Sequence, residues 1–207
     1  MPNDVKAPRK TPGRKTLASI VGALCASLLL VAMPREESGR EVQVAIAPSG
    51  DATITHVRGV QYLKTYLDIV GVATACDGIT RRVKPGQVYT EVQCAQMLEG
   101  ELVQHALEVQ ICAPELWGAG RDYQRFAAIS LAYNVGAPRF CGSTAAKHFR
   151  AGQWVAGCDA LRMWNKAGGR VIGGLVRRRE RERQACLTGL VAGLTPANLA
   201  ARIAEVR

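Results

Sequence analysis

The sequence predicts an α+β fold, with a small sheet lobe followed by a mainly helical lobe and preceded by an apolar helix. Residues 57–80 carry β-branched segments around Gly59, Gly71 and Gly78, which predicts a small hairpin or three-stranded element. From Thr90 onward, apolar residues recur at helical spacing instead. A chain of 207 residues is long enough for one globular domain with appendages.

The helical lobe is predicted to begin at Thr90, because a threonine directly ahead of a helical pattern is a typical N-cap. Further helices are predicted at residues 121–134, 143–151, 155–165 and 174–187. The last of these mixes five arginines with two glutamates between residues 177 and 183, which is typical of a solvated, salt-bridged face.

An apolar segment near the N-terminus predicts export of the rest of the chain. Thr16 to Met33 contains no charged residue and follows a basic, proline-containing leader. The length is close to that needed to span a bilayer, and the positive flank places the leader in the cytoplasm. A cleaved signal peptide is the alternative. Many small residues, such as Ala18, Gly22 and Ala26, lower the cost of leaving the membrane.

These patterns divide the chain into five segments. They are a basic cytoplasmic leader at 1–15, a signal-anchor or signal peptide at 16–34, a linker at 35–52, a folded domain at 53–190 and a C-terminal extension at 191–207.

The net charge of +10 favours a polyanionic partner. Aromatic residues make up only 5% of the chain and no nucleic-acid signature is present, so an anionic envelope polymer is favoured over nucleic acid. The three histidines are scattered without the spacing of metal ligands, and neither a metal nor a cofactor is expected.

Seven cysteines indicate an oxidising compartment. Cys25 lies in the apolar segment, and the other six allow 15 pairings, which spacing alone does not resolve. The absence of any C-x-x-C spacing argues against a zinc site. Proximity in sequence predicts the pairs Cys76–Cys94, Cys112–Cys141 and Cys158–Cys186.

Asp68 and Thr74 lie six positions apart across a glycine-containing, hairpin-like segment. A carboxylate and a hydroxyl so placed can hold a water or a sugar carbon between them. This segment and several others resemble, in the same order, the phage lysozymes of glycoside hydrolase family 24. The matching strings are LKTYLD (63–68), VGVAT (70–74), VKPG (83–86), AYNVG (132–136), FCGST (140–144), WNKAGG (164–169), GLVRRR (174–179) and ERQACLTGL (182–190).

The resemblance implies a lysozyme-like fold and hydrolysis of the β-1,4 bond between N-acetylmuramic acid and N-acetylglucosamine. It assigns Asp68 as the second carboxylate and Thr74 as the residue that positions water. The general acid should be a glutamate nine residues before Asp68, but that position is Gly59, beside Arg58. Asp77 is a candidate surrogate acid, and its alternative role is that of a turn residue before Gly78.

The resemblance also suggests substrate contacts by Asn134, Thr144 and Arg178. Each has a simpler role as a cap, a helix residue or part of a basic face. The apolar segment resembles the signal-anchor-release segments of endolysins, which tether the enzyme to the inner membrane and later free it into the periplasm. As an unpaired thiol in such a segment, Cys25 could exchange with a body disulfide, or it could simply fill apolar space.

Three functions are consistent with these features. The first is an exported, monomeric endolysin that acts on peptidoglycan and contacts the inner membrane through its N-terminal segment. The second is a descendant that binds peptidoglycan without hydrolysis, because Gly59 replaces the acid. The third is an anchored cationic protein that permeabilises envelopes by charge alone.

Overall fold

The computed structural model describes residues 15–68 and 71–190. The C-terminal extension and nearly all of the leader lie outside these residues. Two helices open the described chain. Thr16 caps α1 (Leu17–Val21) by accepting from the Ser19 amide. Gly22, with φ of 83°, separates α1 from α2 (Ala23–Ser38), and α2 ends at the left-handed Gly39.

Helices α1 and α2 form part of the protein core. Seven of their apolar side chains are buried, and α2 packs against the fourth helix, the third helix and the first strand. The buried set is Leu17, Val21, Cys25, Ala26, Leu29, Leu30 and Met33. Among the described residues, no helix combines the length and apolarity needed to cross a bilayer. The predicted anchor helix is therefore not confirmed by the structure.

The segment predicted as a linker has regular structure. It contains the end of α2 and strand β1 (Glu41–Ile46), which pairs antiparallel with β2 (Ala52–Arg58). Alternate residues of the two strands, including Val44 and Ile54, pack against the core, and those between them face outward. This hairpin forms because its alternating pattern gives it one apolar face to lay on α2.

The predicted small sheet lobe is confirmed as short antiparallel pairs. Strand β3 (Tyr66–Leu67) pairs with β4 (Ala73–Thr74), and isolated bridges join Lys64 to Val88 and Ala75 to Ile79. The first helix of the second lobe, α3 (Glu91–Cys112), starts at Thr90 as predicted. The Thr90 hydroxyl accepts from the Gln93 amide, and the Gln93 side chain accepts from the Thr90 amide.

The helical lobe follows the predicted order. It contains α4 (Asp122–Val135), α5 (Ala137–Cys141), α6 (Thr144–Arg150), α7 (Trp154–Ala160) and α8 (Gly173–Thr188), with 3-10 turns at Pro114–Trp117 and Leu161–Met163. Helix α7 is shorter than predicted, and a small hairpin of β5 (Lys166–Ala167) and β6 (Arg170–Val171) follows it. Gly168 and Gly169 both have positive φ and form its turn.

Three disulfides join the elements, and all three predicted pairs are present. Cys76–Cys94 ties the sheet lobe to α3, with 5.4 Å between the Cα atoms. Cys112–Cys141 joins the end of α3 to α5, and Cys158–Cys186 joins α7 to α8. Cys25 is unpaired and buried.

Candidate active site

The β3–β4 hairpin brings Asp68 and Thr74 together through a shared partner, Val72. The Asp68 carboxylate accepts from the Val72 amide at 2.8 Å, and the Val72 carbonyl accepts from the Thr74 hydroxyl at 3.1 Å. Thr74 pairs with Tyr66 across the strands and is buried, whereas Asp68 is half-buried at the tip of the hairpin. The two predicted site residues are therefore linked through the backbone of Val72.

A second carboxylate, Glu37, enters the same region from the C-terminal turn of α2. Its Oε1 atom accepts from Arg178 Nη1 at 2.7 Å. The side chain of Glu37 is 21% exposed and that of Arg178 is 5% exposed. The arginine of this ion pair is therefore buried, and the carboxylate is partly exposed. Glu37 thus presents a carboxylate that is fixed in place and still open to solvent.

Arg178, predicted to contact substrate, is held by carboxylates on both sides. Its Nε lies 3.3 Å from Glu182, which also receives Arg179 Nη2 at 2.7 Å and the Ser130 hydroxyl at 2.6 Å. Burial lowers the pKa of the Arg178 guanidinium, but the charges of Glu37 and Glu182 outweigh burial and raise it. Arg178 is therefore a buried cation that is ion-paired with both Glu37 and Glu182.

Glu37 lies close to the hairpin that carries Asp68. Burial raises the pKa of the Tyr66 phenol, and the negative charges of Asp68 and Glu37 raise it further. On the other side, a Cβ at Gly78 would lie 3.4 Å from Glu37 Cβ and Oε2. The absence of a side chain at Gly78, whose φ is 77°, leaves room for the Glu37 carboxylate.

A groove with charged, polar and apolar lining lies beside α3. It is lined by Ile79, Arg81, Arg82, Tyr89, Glu101 and Gln104. Burial raises the pKa of the Tyr133 phenol, and the charges of Glu37 and Glu101 raise it further. An open groove with charged and polar side chains along it is suited to a saccharide chain.

Gly59, expected in the position of the acid, lies at the root of the β1–β2 hairpin. Its φ is 96°, and a Cβ there would come within 2.9 Å of Arg40 Cα and the Gly39 carbonyl oxygen. The chain thus enters and leaves the hairpin at nearly the same point, with Glu37 just before the entry. Position 59 has no room for a glutamate side chain.

Asp77 is buried, with 1% of its surface exposed, and its carboxylate is contacted by two other side chains. Arg40 donates to both of its oxygens, at 3.0 and 2.6 Å, and the Ser38 hydroxyl lies 2.8 Å from Oδ1. Its carboxylate is therefore occupied by protein groups.

The remaining predicted substrate residues are open to solvent. Asn134 lies near the end of α4 and Thr144 begins α6, and both side chains are exposed. Within residues 15–68 and 71–190, no group of histidine, cysteine and carboxylate side chains is arranged to hold a metal.

Reasoning from sequence missed Glu37 as a member of this site. Glu37 lies in the last turn of an apolar helix. From sequence alone, a charged residue at that place is interpreted as the end of a membrane-spanning segment. The signal that could have found it is the β1–β2 hairpin: the large apolar residues Val42, Val44 and Ile46 recur at every second position ahead of a Pro-Ser-Gly-Asp turn. A hairpin whose ends meet returns the chain to the end of α2, so Glu37 borders Gly78 although 41 positions separate them.

Comparison with known proteins identifies the family and agrees with the fold. The phage lysozyme family model matches residues 56–182. The SAR-endolysin of bacteriophage PS119 is 37% identical over 154 residues, covering 73% of this chain and 90% of its own. The SAR-endolysin of enterobacteria phage P21 is 34% identical over 179 residues, covering 85% of this chain and 96% of its own.

Solved structures show the same fold. The active form of the P1 phage endolysin Lyz has a TM-score of 0.63 at 24% identity, over 84% of this chain and 89% of its own. A mutant P22 lysozyme has a TM-score of 0.53 at 28% identity, over 61% of this chain and 88% of its own. The chain therefore belongs to the phage lysozyme family and is a lysozyme-type glycoside hydrolase, a peptidoglycan-degrading endolysin.

Proposed function

We propose that this endolysin is a muramidase whose general acid is Glu37. The observation that carries the proposal is the ion pair between Glu37 and the buried Arg178, which fixes a partly exposed carboxylate against Gly78, in the turn that follows β4 and Thr74. Glycosidases need one carboxylic acid to protonate the leaving oxygen and a second polar group near the sugar carbon. Glu37 and Asp68 supply these two carboxylates from separate elements.

In this arrangement the glycan lies between Glu37 and the β3–β4 hairpin. Glu37 donates its proton to the glycosidic oxygen of the bond after N-acetylmuramic acid. Asp68 stabilises positive charge on the sugar carbon or activates the attacking water, and the Thr74 hydroxyl orients that water. Asn134 and Thr144, both exposed, are proposed to contact saccharide farther along the cleft.

The test compares Glu37→Gln with Glu36→Gln on purified peptidoglycan. Glu36 is the matched control, because it also pairs with an α8 arginine, Arg181, at 2.7 and 2.6 Å. Loss of a general acid lowers the rate about 100- to 10,000-fold. We expect Glu37→Gln to lose hydrolysis on that scale and Glu36→Gln to retain the parent rate within a few-fold. New reducing ends on N-acetylmuramic acid would identify the bond, and retained hydrolysis by Glu37→Gln would refute its role.

We further propose that residues 16–34 act as an uncleaved signal-anchor that leaves the inner membrane and packs into the enzyme. The basic leader, the small residues of this segment and its resemblance to signal-anchor-release segments support the proposal. So does the burial of seven α1 and α2 side chains, since cleavage between residues 26 and 32 would remove part of the core. The intact mass of protein recovered from the periplasm tests it: a full-length chain is expected, and a chain starting near residue 27–33 would contradict it.

A further inference from the structure

Asp77 forms a buried network with Ser38 and Arg40, which lie one and three positions after Glu37. Arg40 donates from Nε to Oδ1 at 3.0 Å and from Nη2 to Oδ2 at 2.6 Å. The Ser38 hydroxyl lies 2.8 Å from both Asp77 Oδ1 and the Pro34 carbonyl oxygen, so its one proton can be donated to either. Arg40 is 6% exposed and Asp77 is 1% exposed. A bidentate, buried Arg–carboxylate pair fixes both geometry and distance.

The network connects the two walls of the active site. Ser38 directly follows Glu37, and Arg40 lies at the start of the β1–β2 hairpin. Asp77 lies in a tight turn that directly follows β4 and is closed by two hydrogen bonds between Ala75 and Ile79, each of 2.9 Å. The neighbouring Cys76 fastens this turn to α3 through its disulfide with Cys94. Asp77 therefore ties the end of α2 to the wall that carries Thr74.

The same contacts leave Asp77 unable to supply a proton to the glycan. Both of its oxygens accept hydrogen bonds from protein donors, and its side chain does not reach solvent. Gly78, the next residue, instead borders the Glu37 carboxylate. Gly78 in this turn thus leaves space for the Glu37 side chain. Asp77 in the same turn holds the backbone that carries Glu37.

We propose that Asp77 is a positioning residue for the general acid. Through Arg40 and Ser38 it holds the end of α2 so that Glu37 faces Asp68 and Thr74 across the scissile bond. This rests on the proposed role of Glu37. Because reacting groups must be placed to within about 1 Å, and such a misplacement can cost about 100-fold in rate, loosening this anchor lowers the rate of the chemical step.

The test measures kcat and KM on soluble glycan strands of uniform length, together with the melting temperature, for Asp77→Asn, Ser38→Ala and Arg40→Lys. We expect Asp77→Asn to lower kcat about 10- to 100-fold while KM stays within about twofold. Arg40→Lys keeps the charge without the bidentate geometry and should lose part of kcat. Ser38→Ala removes a single donor and should show the smallest loss. All rates are expressed per folded molecule, by near-UV circular dichroism.

Asp122→Asn is the matched control. Asp122 pairs with the mostly buried Arg125 at 2.8 Å, beside Gly22 at the opposite end of α2, about 20 Å from Glu37 by helical rise. Its loss should lower the melting temperature without lowering kcat. A parent-like kcat in folded Asp77→Asn and Ser38→Ala would overturn the positioning role even if stability falls. Such a result beside an inactive Glu37→Gln would refute the network alone, whereas an active Glu37→Gln would refute the acid assignment itself.

Discussion

At the scale of single residues, the buried Cys25 thiol is expected to have low reactivity in this fold. Burial raises its pKa to about 12, against the opposing effect of Arg125. Since the thiolate is the reactive form, a fully buried thiol with a raised pKa exchanges slowly with disulfides or alkylating reagents. The packed state of α2 therefore protects the three body disulfides from Cys25.

We predict that native protein reacts slowly with iodoacetamide at neutral pH and gains one adduct promptly once unfolded in urea. Intact mass measured over time checks this prediction. Rapid labelling of the native protein at Cys25 would show that the segment around it is not packed as described.

His105 gives the fold a specific dependence on pH. Burial lowers the pKa of its imidazole, although Glu108 and Glu101 oppose the effect. The ring packs against Tyr133, with 5.3 Å between centroids, and its Nδ1 is buried without a hydrogen-bond partner among the described residues. The unfolded chain therefore takes up this proton more readily than the folded protein does.

The stability that neutral His105 contributes is fully present above its unfolded pKa of about 6.5 and is lost as the pH falls through that value. We predict that the free energy of unfolding of the parent falls more steeply between about pH 7 and pH 5 than that of His105→Gln. Urea unfolding at several pH values measures both slopes. Parallel slopes would contradict the assignment.

At the scale of secondary-structure elements, α2 serves as both core and catalytic support. Its apolar side chains pack against α3, α4 and β1, and its last turn carries Glu37. Helices that are apolar over most of their surface are stable either in a membrane or inside a protein. The burial of α2 therefore couples the folding of the N-terminal segment to the placement of the acid.

Adjacent residues of α2 provide a matched test of this packing. Leu30 is fully buried and Val31 is 43% exposed. We predict that Leu30→Ala lowers the free energy of unfolding by about 2–5 kcal/mol. Val31→Ala should change it by no more than about 0.5 kcal/mol. Equal, small effects in urea unfolding of the periplasmic protein would show that α2 is not part of its core.

The β1–β2 hairpin is the element that most changes the interpretation of the sequence. It lays one face on α2 and returns to its starting point, where Gly59 contacts the backbone of Arg40. Its two strands therefore lengthen the chain between Glu37 and Asp68 without separating them in space.

At the scale of the whole molecule, the sequence was sufficient for the order of elements, the N-cap at Thr90 and the three disulfides. These features depend on local patterns or on neighbours in sequence. The proximity of Asp68 and Thr74 could also be predicted from the sequence, because residues six positions apart stay close together in a short hairpin. Each is a short-range property of the chain.

Two features that depend on contacts between distant residues could not be predicted from the spacing of residues in the sequence. The apolar segment from Thr16 to Met33 has the same pattern whether lipid or protein covers it, so packing against α4 decides its environment. The acid could not be found by counting back from Asp68, because the count assumes that no hairpin intervenes. Contacts between distant residues, such as Arg178 with Glu37, carry the information that spacing lacks.

The central claim is that the acid is Glu37 and that Gly59 only closes an inserted hairpin. The most direct measurement is the rate of peptidoglycan hydrolysis by the parent, Glu37→Gln, Gly59→Glu and the double variant. The account predicts an active parent, an inactive Glu37→Gln, no gain from Gly59→Glu and no rescue in the double variant. An inert parent that gains hydrolysis from Gly59→Glu, or a double variant restored to activity, would contradict it.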